Sequence, residues 1–254
     1  MRLHEQVAIV TGAGRGIGRA IALALSREGC RLVLAARSRS EIEAVAAEAA
    51  RLGGQALPVQ VDVAEPTEVA RMVETALRAY GRIDILVNNA GVSVPFRDVV
   101  DFPLEDWNRI LQVNLTGTFL CSRAVLPAMI RQRAGKIVNL GSLSSFTGFP
   151  GNSAYGASKA GIVMFTKCLA AEVKAHGIDV NAVCPSGTDT RLLEEIGLKA
   201  GRTNLIRPEE IASLVLFLVT AEASAVTGTA IEAYGHSNPL FSGTHPSRSA
   251  GGER

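Results

Sequence analysis

The chain has 254 residues, 47% of them apolar, and a formal net charge of +2. That length and composition suffice for one large core and argue against a disordered or low-complexity chain. Charges of both signs are spread along the sequence, which argues against a phosphate-tracking surface for nucleic acid and points to a small-molecule ligand.

Cys30, Cys121, Cys168 and Cys184 lie far apart, without the paired spacing of a zinc site or the density of a disulfide scaffold. They are expected as reduced core thiols, with no metal bound. A strand follows Met1 almost at once, leaving no room for a signal peptide, and the apolar run from Ile211 to Val219 is too short to cross a bilayer. The expectation is a cytoplasmic protein with no membrane partner.

Val7 to Val10 reads as a buried strand, followed by helical periodicity from Gly16 to Glu28. A second strand is expected at Leu32–Ala36. Ser40 and Glu43 have capping-box spacing for a helix running to about Leu52, stopped by Gly53-Gly54. Leu57–Val61 is the third strand. Pro66 suits a first helical position, so Thr67–Tyr80 is the next helix, before a strand at Ile83–Val87. A long helix from Trp107 to Arg131, a strand at Lys136–Leu140, a helix carrying Tyr155 to about Ala175 and a strand at Asp179–Cys184 continue the alternation. Such alternation predicts an α/β fold with one doubly wound parallel sheet covered by helices on both faces. Residues 1–241 are expected as a single domain and 242–254 as a solvated tail, with the less periodic stretch 191–206 as a candidate mobile lid.

Three features carry chemistry. Thr11-Gly12-Ala-Gly-Arg15-Gly16-Ile17-Gly18 joins the first strand to the first helix, where glycines clear a phosphate's approach to free helix N–H groups. The second strand ends in Ala36-Arg37, with no carboxylate to bond ribose hydroxyls and repel a 2′-phosphate; Arg15 and Arg37 therefore predict NADP(H). Tyr155 and Lys159, four apart on a helix, share a face, so the ammonium can stabilise a phenolate beside the nucleotide.

With Asp62, Asn88-Asn89-Ala90-Gly91, Asn114 and Ser142 in matching order and spacing, residues 5 to 235 resemble a short-chain dehydrogenase/reductase of Rossmann fold. The resemblance implies Tyr155 as the acid, Lys159 as its cationic neighbour and as a partner of the nicotinamide ribose, and Ser142 as holder of the carbonyl oxygen. Asn114 is implied to hold a water linking Lys159 to solvent. Asp62 and Val63 are implied to contact adenine, and Asn89, Ala90 and Gly91 to border the adenosine ribose. The loop Pro185-Ser-Gly-Thr188-Asp-Thr190 is implied to lie over the nicotinamide, with Thr188 and Thr190 bonding its carboxamide. Ser186 departs from the family's glycine, and Glu232-Ala-Tyr-Gly235 from its Asp-Gly-Gly turn.

Ser144 and Ser145 are alternatives to Ser142. The substrate pocket is expected from Ser93–Arg97, Leu143–Phe149 and Leu192–Ile206, where Phe96, Phe146, Phe149 and Leu193 favour an apolar or acyl substrate. The expected activity is reduction of a ketone or 3-oxoacyl thioester, reversible as alcohol oxidation, in a homotetramer. A dedicated 3-oxoacyl-(acyl carrier protein) reductase and a non-catalytic NADP(H) sensor are the alternatives.

Overall fold

The computed structural model describes residues 1–199 and 204–235. Its centre is a sheet of seven parallel strands: β1 (Val7–Thr11), β2 (Arg31–Ala36), β3 (Ala56–Gln60), β4 (Ile85–Asn88), β5 (Gly135–Leu140), β6 (Ile178–Pro185) and β7 (Ala230–Ala233). Their spatial order is β3-β2-β1-β4-β5-β6-β7. The order reverses between β1 and β4, so the chain leaves to opposite sides there and opens a crevice at the strands' C-terminal ends.

Helices α1 (Gly16–Arg27), α2 (Arg39–Arg51) and α8 (Pro208–Val219) cover one face; α3 (Pro66–Tyr80), α5 (Gly117–Gln132) and α6 (Ser153–Val173) cover the other. The alternation of β1 explains why both faces are needed. Ala8 and Val10 join Leu25 and Val215 in one core, while Ile9 joins Met72 and Val125 in the other. A strand buried on both sides needs an unbroken apolar run, with each full-sized side chain stabilising the fold by about 1.5–3 kcal/mol.

Several expectations shift. β4 begins at Ile85 rather than Ile83, whose N–H and C=O are both taken by the Gln132 side chain (3.2 and 2.8 Å). The capping box at Ser40 does not form: α2 starts at Arg39 after Ser38, and Glu43 instead pairs with Arg39 at 2.7 Å. The expected long helix begins earlier, as α4 (Leu104–Leu111), and reaches α5 through a π-helical turn at Gln112–Thr116. The stretch Leu104–Gln132 is long and apolar enough to cross a membrane, the one such helix among the described residues, and half of its most apolar window is buried in this fold. Cys30, Cys121 and Cys184 are buried thiols, but Cys168 is exposed, because its place on α6 faces away from the sheet. The tail 242–254 lies outside the described residues.

Candidate active site

One cavity of about 650 Å³ runs along the crevice. At one end the turn after β1 bends through Gly12 (φ +63°) and Gly16 (φ +54°), backbone shapes that cost a side chain-bearing residue. Arg15 precedes α1 in extended conformation without capping the helix, so the first N–H groups remain available to an anion. Gly12, Arg15, Gly16 and Ile17 line the cavity; Gly18 does not. A Cβ on Gly18 would sit 2.2 Å from Gly12 O and 2.5 Å from Asn89 Nδ2, so this glycine permits helix–strand packing rather than clearing a phosphate.

Asn89 and Thr11 hold the turn. Asn89 Nδ2 donates to Thr11 O (2.9 Å) and Gly12 O (3.1 Å), while Thr11 Oγ1 accepts from Asn89 N–H and Ala90 N–H, each at 3.0 Å. Asn89, Ala90 and Gly91 line the cavity, as do Arg37, Asp62 and Val63. The Asp62 carboxylate accepts from Ala64 N–H at 3.0 Å. Arg15 lies near two carboxylates that the sequence did not announce, Glu41 at 3.9 Å and Glu195 at 3.5 Å. Arg37 is exposed and has no ion pair among the described residues.

At the other end, α6 carries Tyr155 and Lys159 into the cavity with the ammonium 5.6 Å from the Tyr155 ring centre. Lys159 is 4% exposed, and its Nζ donates to Leu140 O at the end of β5 (2.7 Å). Burial lowers the lysine to about 8. Burial also raises the phenol, and the Ser142 side chain opposes that rise. Removing both groups from water disfavours phenolate and ammonium alike.

Ser142 opens a 3₁₀ turn (Leu143–Ser145), its Oγ accepting from Ser144 N–H at 3.2 Å. Ser145 Oγ accepts from Ser142 N–H (3.2 Å) and does not line the cavity, whereas Ser142 and Ser144 both do. Behind this turn the buried Cys184 thiol is pushed up to about 11, chiefly by desolvation.

Asn114 sits in the π-helical turn, fully buried and off the cavity wall. Its Oδ1 accepts from Val92 N–H (2.8 Å), and its Nδ2 donates to Val92 O (3.0 Å) and Ser158 Oγ (3.1 Å). The side chain clamps the segment after β4 to α6. The water-holding role expected of it retains only one Oδ1 lone pair, because both amide hydrogens are spent.

Pro185, Thr188 and Thr190 line the cavity. Thr190 Oγ1 accepts from Leu193 N–H (3.5 Å) and caps α7 (Arg191–Glu195). Ile206 is bonded on both sides, its N–H to Gly187 O (2.9 Å) and its O to Asp189 N–H (2.8 Å). This fastens the base of the stretch expected as a lid, of which 200–203 lie outside the described residues. Ser186 fits without strain: its N–H continues the ladder to Ala233 O (2.8 Å), and its φ is not positive.

The substrate side is walled by Phe96, Leu143, Phe149, Leu192 and Leu193. Phe146 departs from expectation, lining a smaller cavity of about 260 Å³ instead. Asn152, which the sequence reading passed over, belongs to both walls; its place three residues before Tyr155 was the available signal. No cluster of potential metal ligands occurs among the described residues.

The family model for short chain dehydrogenase matches residues 6–200. The chain is 42% identical over 235 residues to a 3-oxoacyl-[acyl-carrier-protein] reductase of Synechocystis sp., covering 89% of this chain and 94% of that protein. A 3-oxoacyl-[acyl-carrier-protein] reductase of Thermotoga maritima is 39% identical, with 91% and 97% covered. The crystal structure of a short-chain type dehydrogenase/reductase from Mycobacterium marinum superposes with a TM-score of 0.88 at 37% identity, over 93% of this chain and 97% of that one. Sheet order, cavity and sequence agree, and the chain belongs to the short-chain dehydrogenase family.

Proposed function

We propose that this chain is an NADP(H)-dependent oxidoreductase that moves hydride between nicotinamide and a ketone or secondary alcohol, with 3-oxoacyl thioesters as its substrate class. The supporting observation is the continuity of one cavity from the glycine turn to Ser142, Tyr155 and Lys159. The residues fit a dinucleotide: uncapped N–H groups at α1 suit its phosphates, Asp62 and Val63 its adenine, and Asn89 to Gly91 its ribose. Pro185, Thr188 and Thr190 would hold the carboxamide end.

A bound nicotinamide cofactor supplies the hydride. Ser142 donates a hydrogen bond to the substrate carbonyl oxygen, where negative charge develops. Tyr155 then gives its proton to that oxygen, a transfer suited to the neutral phenol that burial favours. Lys159, held by Leu140 O, places positive charge beside the phenol and eases the proton's departure. The Asn114 clamp keeps the wall behind Lys159 in register.

Preference for the 2′-phosphate rests on Arg37 more than Arg15, because Glu41 and Glu195 already draw on the Arg15 charge. The thioester class is supported by the apolar wall and by the resemblance to proteins named as 3-oxoacyl reductases. A cytoplasmic homotetramer is consistent with the buried free thiols and with Phe119 and Met164 exposed on α5 and α6.

The test is to follow NADPH and NADH oxidation with simple ketones, quinones and 3-oxoacyl thioesters. The expected result is turnover of the thioester with NADPH preferred. NADPH binding without turnover of any carbonyl, coupled to a change in a partner's affinity, would instead make the protein a sensor.

A further inference from the structure

We infer that Ser144 and Asn152 together recognise a second carbonyl oxygen of the substrate, next to the one reduced, and so select 3-oxoacyl compounds over simple ketones. This rests on the reductase reading above and names the residues that set its specificity.

Between Val92 and Asn152 the cavity wall is mostly apolar, and besides Ser142 its polar residues are Ser93, Ser144 and Asn152. Ser93 spends its hydroxyl hydrogen on Val94 O (3.4 Å). Asn152 is 8% exposed, and its Nδ2 donates to Ser144 Oγ at 3.0 Å. Among the described residues nothing donates to Asn152 Oδ1, and the Ser144 hydroxyl donates to nothing. Whichever way the amide is turned, the pair keeps an N–H or O–H free to donate, so its natural complement is an acceptor oxygen. Because both residues line the cavity, a ligand oxygen can complete this unused hydrogen-bonding capacity.

Position favours a dicarbonyl. Ser142 and Ser144 belong to one short turn, with Ser144 N–H 3.2 Å from Ser142 Oγ, so a group bonded to Ser144 lies beside the carbonyl held by Ser142. The partner is fixed as firmly: Asn152 N–H donates to Phe149 O (3.1 Å), and Asn152 O accepts from Gly156 N–H (2.9 Å) at the start of α6. A 3-oxo ester or thioester offers its acyl oxygen one carbon from the ketone, whereas a simple ketone leaves the pair unsatisfied.

The test compares ethyl 3-oxobutanoate with 2-heptanone, an isostere lacking the ester oxygens. Wild type should favour the ester. Ser144→Ala and Asn152→Ala should each lose about tenfold more kcat/KM on the ester than on 2-heptanone, mostly through KM, because a site built to hydrogen-bond an oxygen discriminates by leaving polar groups unpaired. Ser144→Thr, which keeps the hydroxyl, should recover most of the ester preference. Equal losses on both ketones would overturn the inference and leave the pair as a structural pin. Should Asn152→Ala fail to fold, Ser144→Ala still decides. Wild type that oxidises NADPH with neither ketone contradicts the reductase reading itself.

Discussion

The two ends of the cavity are built on different physics. After β1, function rests on backbone shape: Gly12 and Gly16 take left-handed conformations, Gly18 lets α1 press on the turn, and Asn89 with Thr11 ties the loop through main-chain groups. After β5, function rests on a half-buried phenol and a buried ammonium whose protonation is altered by loss of water, Tyr155 upward and Lys159 downward. A shape-built end fails by steric clash; a burial-built end fails by titration.

Breaking the first end should have the largest effect. Gly18→Ala puts a methyl 2.2 Å from Gly12 O and should destabilise the fold by about 3 kcal/mol in urea unfolding. Gly53→Ala, at φ +80° with nothing within 4 Å, should cost only about 1 kcal/mol. Equal costs would remove the distinction between a packed glycine and one needed only for its backbone.

The second end should show itself as a pH dependence. The folded value of Lys159, about 8, lies below its ordinary 10.5, so the ammonium is present below about pH 8 and lost above it. The kcat/KM for NADPH, which reports the free enzyme, should fall above about pH 8 by about tenfold per unit. The same sign means that charged Lys159 weakens the fold below about pH 8, a penalty that fades as pH rises from there towards 10.5. A flat profile across that window would show that burial does not control this lysine.

Smaller effects should separate the two arginines. Arg37→Ala should reduce the preference for NADPH over NADH by about tenfold, and Arg15→Ala by about threefold, because exposed ion pairs with Glu41 and Glu195 already share the Arg15 charge. The reverse ranking would place the 2′-phosphate against Arg15.

The strands and their alternation were legible in the sequence because the runs Val7–Val10, Leu32–Ala36 and Ile85–Val87 are wholly apolar and glycines stand beside β1, β5 and β6. Tyr155, Lys159 and Ser142 were legible because their spacing is fixed by a single helix and the turn before it. Other features depended on contacts distant in sequence. Asn114 reads as a helix residue until Val92 and Ser158 are seen to exhaust its amide hydrogens. Glu195 comes near Arg15 only because α7 folds back over the glycine turn. The capping box at Ser40 does not form because Ser38 takes the N-cap position and places Ser40 inside α2. Phe146 was misplaced because the 3₁₀ turn at Leu143–Ser145 points it towards the smaller cavity. β7, with four residues, is too short to show a period and is defined by its pairing with β6.

The most direct test of the central claim is the single-turnover rate of NADPH oxidation with a 3-oxoacyl thioester in wild type and in Tyr155→Phe, with NADPH binding to each measured separately. If the Tyr155 phenol delivers the proton, the variant still binds NADPH but reduces the substrate about a thousandfold more slowly. An unchanged rate would contradict the assignment of Tyr155 and the mechanism built upon it.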